Sequence, residues 1–249
     1  MIERLTPPGA VGAEVFDHAG DHRLFPEEAA LVTRAVASRQ AAFGAGRACA
    51  RVALAGLGRS PAPIGTGPKG EPLWPAGVVG SLTHCAGYAA AVVADVAHYR
   101  SLGVDAEPDL ALPTGVLDVV GRPEERARVT ELAACRPGTA WDRLLFCAKE
   151  AVYKAWYPLT GRWLDFEDVT VALDPDARTF AAALHVPGPV VDGRRTHGFA
   201  GRWLGGTGLL VTLVAVPVLT ADPPAEPLAE PLAEPGGGTG PAQVPDCLS

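Results

Sequence analysis

The chain has 249 residues, enough for one large domain or two small ones, and 48% hydrophobic with 20% charged residues describes a folded polypeptide rather than a disordered one. The formal charge of -7 is unevenly placed: the last thirty residues, from Thr220, hold five acids and no Lys or Arg, which leaves twenty-one bases against twenty-three acids in the body. A body so near neutrality argues against broad, sequence-independent nucleic-acid binding. Residues 1–8 contain an early acid, two prolines and no apolar core, so no signal peptide is expected, and no apolar run approaches the ~18 residues of a spanning helix. The five cysteines are scattered without a CxxC pair, which points to reduced thiols and not to a zinc site. A cytoplasmic protein with neither membrane nor nucleic acid as partner is expected.

The body opens on a loop. Pro26-Glu27-Glu28 then places proline and acids in a first turn and predicts a helix running to residue 37. An alanine-rich helix follows over 41–57, closed by Gly56 and Gly58. Residues 60–75 are dense in proline and glycine and predict a functional loop or connector. Strands are predicted at 78–83, 88–96 and 101–107. The second is a continuous run of small apolar residues suited to a buried strand. The third alternates, with Leu102, Val104 and Ala106 on one face and Ser101, Gly103, Asp105 and Glu107 on the other. The helix predicted at 141–157 has a core stripe of Leu145, Ala148, Val152 and Ala155. Strands resume at 169–173, 179–184, 197–203 and 208–216. From 220 onward the sequence repeats AEPLAEPLAEP and runs into GGGTGP, which predicts disorder over 220–249. Helices precede strands in each half, so the expectation is α+β with two similar lobes, 1–100 and 101–219, and not a parallel βαβ sheet.

Four groups of residues are candidates for chemistry. Asp105 and Glu107, at i and i+2 on a strand, project from one face about 7 Å apart at Cα. They suit a hard cation such as Mg²⁺, although two solvated acids on an exposed face would look the same. Glu150 and Lys154 share a helix face at i and i+4. They form either an ordinary surface ion pair or a third carboxylate with a phosphate-facing lysine, and Lys149, one residue round, is placed to reach a neighbouring phosphate. In SLTHC, residues 81–85, His84 is an anion-binding donor or a structural residue. Cys85 is not expected to be a nucleophile paired with it, because adjacent strand residues point to opposite faces. Arg39, Arg47, Arg51 and Lys69 supply forks and charge that suit phosphate monoesters. No Walker loop and no GxGxxG are present.

Taken in order, GRACAR, GPKGEPLWP, VVGSLTHCAGYAAAVVA, SLGVDAEP and WDRLLFCAKEAVYKAWYPLTGRWLDFED resemble the 4′-phosphopantetheinyl transferases of the enterobactin/surfactin-activating type, especially actinobacterial members. The resemblance covers about residues 25–220. It implies transfer of the 4′-phosphopantetheine arm of coenzyme A to a serine of an apo acyl or peptidyl carrier protein, with release of 3′,5′-ADP. It implies a monomer folded as a two-lobed pseudo-dimer with the ligand cleft between the lobes. By the same resemblance Asp105, Glu107 and Glu150 hold Mg²⁺, and Lys154 is the last lysine of the KExxxK motif. Thr83 and His84 belong to the ligand-facing S-x-T-H segment. Arg39 and Arg47 hold the 3′-phosphate, and Lys69, Glu71 and Pro72 form the adenine-side loop. Phe146, Tyr153 and Trp163 line the pantetheine channel. Many relatives carry lysine where Glu71 stands, and Lys69 is placed to substitute. Glu150 is the candidate base, directly or through water, with a metal-bound water as the alternative. The rival readings are a Mg²⁺-dependent phosphohydrolase and a non-catalytic coenzyme A or carrier-binding module.

Overall fold

The computed structural model describes residues 1–16, 18, 20 and 22–219, so the reading of 220–249 lies outside the described residues. The chain begins with α1 (Ile2–Leu5) and β1 (Ala10–Phe16) where a loop was expected. The sequence of β1, AVGAEVF, has no clean alternation. It becomes a strand by pairing antiparallel with β5 (Tyr88–Asp95), from Ala10 opposite Ala94 to Phe16 opposite Tyr88. Next come α2 (Pro26–Val32) and α3 (Ala37–Gly56). The first helix stops short of residue 37 because Val36 is extended and serves as the N-cap of α3. In α2, Glu28 is fully buried, and its carboxylate accepts from the Phe25 and Ile64 amides and pairs with Arg51.

The turn-dense stretch contains the two-residue strands β2 (Gly65–Thr66) and β3 (Pro72–Leu73), paired as a small hairpin. β4 (Val78–Cys85) then joins the other side of β5, giving a three-stranded sheet in the order β1-β5-β4. Ala45, Ala50 and Leu54 of α3 pack on Ala89, Ala91 and Val93 of β5. Small residues on both surfaces bring helix and sheet close together.

The second sheet begins with β6 (Tyr99–Pro108). After α4 (Val116–Val120), α5 (Pro123–Cys135) and α6 (Trp141–Thr160) come β7 (Val169–Asp174), β8 (Thr179–Leu184), the short pair β9 (Val190–Val191) and β10 (Arg194–Arg195), β11 (Gly198–Gly206) and β12 (Leu209–Pro217). The five long strands form an antiparallel sheet in the order β6-β12-β11-β8-β7, with α6 packed on β6 and β12.

Two features of β6 position the site. Its polar face lies beneath α6: Ser101 Oγ donates to Ala155 O at 2.8 Å, and Gly103 lets the helix backbone approach where any Cβ would collide with the Ala151 carbonyl oxygen. Its free edge abuts β4. There Ser81 Oγ accepts from Val104 N at 3.0 Å and Thr83 Oγ1 accepts from Ala106 N at 2.9 Å, so two hydroxyls stand in for backbone acceptors across the seam. Residues 1–218 cluster as one compact unit, with the seam inside it.

Candidate active site

Asp105 sits where β6, α6 and β4 meet, and is only 6% exposed. Its Oδ1 accepts from Lys154 Nζ at 2.7 Å and from Thr83 Oγ1 at 3.2 Å, while its Oδ2 is buried without a hydrogen-bond partner. Lys154 also donates to Val104 O at 3.1 Å and Leu82 O at 3.3 Å, so one ammonium bridges both sheets. Burial alone would push the Lys154 pKa down, but the charges of Asp105 and Glu150 outweigh it and hold the ammonium above its ordinary range.

Glu150 faces the same region from α6. Burial is the largest cause raising its carboxyl, the Asp105 charge adds to it, Lys154 opposes, and Glu107 raises it further. Glu107 is raised by burial and by Asp105, with Arg143 pulling against both. Arg143 Nη1 lies 2.9 Å from Glu107 Oε2, while its Nε and Nη2 donate to Leu110 O and Ala111 O at 3.0 and 3.2 Å. Arg143 was not singled out in the sequence. The available signal was its place seven residues before Glu150, two turns away on one helix face.

The three acids are therefore electrostatic neighbours. As the side chains stand, no three His, Cys, Asp or Glu residues among the described residues gather closely enough to hold an ion. The donor set still fits a hard divalent cation. Its oxygens are carboxylates that destabilise one another's charge, and one of them is buried and unpartnered.

A cleft of about 680 Å³ runs from this corner along β4 to α3 and the β2–β3 hairpin. Glu150, Tyr153 and Lys154 line its α6 wall, with Thr83 and His84 along β4. Arg39, Arg47, Lys69, Glu71 and Pro72 line it as well, whereas Asp105 and Glu107 do not. Arg39 Nη1 donates to His84 Nε2 at 3.3 Å, and burial, then Arg39 and Lys154, lower the imidazole pKa. Arg47 is only 4% exposed: its Nε donates to Ile64 O at 3.0 Å, and its Nη2 to Gly65 O at 3.2 Å and Thr66 Oγ1 at 3.0 Å. Burial draws the Arg47 pKa down to about 10, so it remains a cation at neutral pH. Glu71 turns back onto its own loop, accepting from Lys69 N at 2.9 Å over Gly67, where a Cβ would clash with the carboxylate.

Residues 27–94 match the family model of the 4'-phosphopantetheinyl transferase N-terminal domain, and residues 101–197 match that of the 4'-phosphopantetheinyl transferase superfamily. The chain is 55% identical over 227 residues to 4'-phosphopantetheinyl transferase Svp of Streptomyces mobaraensis, covering 89% of this chain and 92% of that protein. It is 46% identical over 225 residues to 4'-phosphopantetheinyl transferase Npt of Nocardia iowensis, covering 86% and 99%. It is 46% identical over 209 residues to 4'-phosphopantetheinyl transferase PptT of Mycobacterium tuberculosis, covering 82% and 91%. The chain belongs to the 4′-phosphopantetheinyl transferase family.

In this transferase the first matched region ends on β5 and the second begins on β6, so the cleft takes walls from both. Three expected site residues stand elsewhere. Lys149 is 2% exposed, and its Nζ donates to Glu125 Oε2 at 2.7 Å, Phe166 O at 2.9 Å and Val169 O at 3.0 Å. It is a buried ion-pair residue tying α6 to α5 and β7 and does not line the cleft, because one residue round a helix is a 100° turn. Phe146 does not line the cleft but meets Phe166 with ring centroids 6.1 Å apart. Trp163 is 61% exposed. It meets Tyr153 in a tilted contact with ring centroids 5.1 Å apart, with Lys69 Nζ 6.0 Å from its ring, and does not itself line the cleft.

Two cysteines flank the transferase site without taking part. Cys147 lies buried behind Asp105 with Sγ 3.3 Å from Thr212 Oγ1, and burial pushes its thiol well above the ordinary range. Burial, with Glu107 and Asp105, pushes Cys85 up to about 12, which agrees with its exclusion as a nucleophile. No helix among the described residues is long and apolar enough to cross a membrane.

Proposed function

We propose that this transferase moves the 4′-phosphopantetheine arm of coenzyme A onto a serine hydroxyl of an apo acyl or peptidyl carrier protein, releasing 3′,5′-ADP. The observation that carries the reading is one cleft lined by Arg39, Arg47 and Lys69 and by Glu150 and Lys154, with Asp105 bonded to Lys154 beside it. That mixture of fixed cations and a carboxylate corner suits a ligand carrying more than one phosphate group. The lobes in this reading are 1–100 and 101–219, with coenzyme A between them, and the enzyme works as a cytoplasmic monomer.

Arg39 and the Nη1 of Arg47 take the 3′-phosphate, and Lys69 takes the adenine side of the loop with Pro72. Binding a phosphate other than the reacting one holds the reacting phosphorus in register. His84, kept neutral, remains a hydrogen-bonding group at the phosphate end, and Tyr153 lines the path of the pantetheine arm. A divalent cation, Mg²⁺ in this reading, held by Asp105, Glu107 and Glu150 supplies the positive charge that a diphosphate needs before a nucleophile can approach. Glu150, a carboxyl raised by burial and by its neighbours, accepts the serine proton as the serine oxygen bonds to the β-phosphorus. The bond from that phosphorus to the oxygen bridging it to the α-phosphate breaks, and the leaving group departs as 3′,5′-ADP. Lys154 keeps a fixed positive charge at this point.

The test mixes the full chain with coenzyme A, Mg²⁺ and an apo carrier protein and weighs the carrier by mass spectrometry. The expected result is a carrier heavier by one phosphopantetheine, with 3′,5′-ADP formed in equal amount. Phosphate or 3′,5′-ADP released without any acceptor would mark a phosphohydrolase, and an unmodified carrier would overturn the proposal.

A further inference from the structure

The two oxygens of Asp105 are in opposite situations. Oδ1 receives two donors, Lys154 Nζ at 2.7 Å and Thr83 Oγ1 at 3.2 Å, while Oδ2 is buried with none. Rotation of a carboxylate about its last bond is soft and roughly two-fold, so the distinction between its oxygens has to be imposed from outside. Lys154 is one source of that constraint. Thr83 is the other, and its arrangement is the more directed of the two.

Thr83 is 3% exposed. Its hydroxyl accepts from Ala106 N at 2.9 Å and lies 3.2 Å from Asp105 Oδ1. A hydroxyl has a single proton. With the Ala106 amide donating to the oxygen and a carboxylate as the other neighbour, that proton points at Asp105. The bonds form a closed path: the amide of the residue after Asp105 on β6, the hydroxyl on β4, and back to the Asp105 side chain. The hydroxyl's only proton and one of its two acceptor sites are thereby committed within the protein, so it has no proton left to donate to a phosphate, whereas the sequence assigned Thr83 to coenzyme A. Ser81 is the natural control. It makes the same seam bond from Val104 N at 3.0 Å, two residues away, and no hydrogen bond joins it to Asp105.

We propose that Thr83 is a positioning residue for Asp105, fixing the rotation of the carboxylate that takes part in holding the metal. The proposal rests on the metal-assisted reading of this site given above. A group that orients a metal-ligating carboxylate acts through that ligand, and its loss weakens metal binding with little effect on contacts elsewhere in the cleft.

The experiment titrates Mn²⁺ into the full chain at saturating coenzyme A and reads free Mn²⁺ by electron paramagnetic resonance. Thr83→Val keeps the side-chain shape and removes the hydroxyl. The expected result is an Mn²⁺ dissociation constant raised about tenfold, with metal-free coenzyme A affinity changed by less than about twofold. Thr83→Ser restores the wild-type constant. Ser81→Ala loses a comparable seam bond and lowers Tm, yet leaves the Mn²⁺ constant unchanged. Should Thr83→Val fail to fold, Thr83→Cys, with a poor donor in the same place, shifts the constant in the same direction. An unchanged Mn²⁺ constant in the folded Thr83 variant overturns the proposal, as does an equal weakening in Ser81→Ala, which would make the effect one of the seam as a whole. A wild-type chain that binds no Mn²⁺ beside coenzyme A overturns the site reading itself, and with it this proposal.

Discussion

Glu150 carries an electrostatic cost that its proposed role would explain. Burial and the charges of Asp105 and Glu107 raise its carboxyl above the ordinary value, so in the metal-free protein the folded state holds its proton to higher pH than the unfolded chain does. Stability contributed by this group is then present at low pH and is lost as pH rises from the unfolded value through the folded one. Glu150→Gln removes that loss. In chelator, its Tm should exceed that of the wild type at neutral pH, and the gap should shrink as pH falls below the ordinary carboxylate value. The same variant should bind coenzyme A and lose transfer by at least about a hundredfold, the usual effect of removing a general base. A variant that transfers at near wild-type rate with saturating Mg²⁺ would exclude Glu150 as the base. At this scale the sequence was legible for residues sharing one helix face or one strand face: Glu150 with Lys154, and Asp105 with Glu107. It was not legible for Lys149, whose partner Glu125 waits on α5, a helix that the patterning did not reveal.

The placing of α6 on β6 depends on what the interface lacks as much as on what it holds. A Cβ at Gly103 would strike the Ala151 carbonyl oxygen and crowd Ala155 on the helix that carries Glu150 and Lys154. Gly103→Ala should therefore cost about 1–3 kcal/mol, read by urea denaturation, and lower transfer in the fraction that still folds. The far side of α6 is held by Lys149. Lys149→Met leaves the Glu125 carboxylate buried without its cation and should cost about 3–5 kcal/mol, whereas the double variant Glu125→Gln, Lys149→Met should lose less than that single change. Coenzyme A binding per folded molecule should stay unchanged in both, which separates this ion pair from the cleft. Among elements, those with strong periodicity or long apolar runs were readable: α6, β5 and the strands of the second sheet. β1 was not, because AVGAEVF follows no pattern of its own and is a strand only through its register with β5.

At the scale of the molecule, the mixture of helices and antiparallel strands was legible, but their order was not: β1 precedes α2, and β6 precedes the helices of the second half. Nor was the joint between the two sheets. Ser81 and Thr83 read as an ordinary strand, and only the folded chain brings their hydroxyls to the amides of Val104 and Ala106. Asp105 lies at that joint, and Cys147 is buried between α6 and β12. With its thiol buried and its ionisation suppressed, Cys147 is silent toward alkylating reagents for as long as helix and strand stay together. Its labelling rate is thus a clock for separation of the two, timed by mass spectrometry. If coenzyme A binds in the cleft as proposed, it should slow that clock, and a rate indifferent to the ligand would mean that the walls part without disturbing what lies between them.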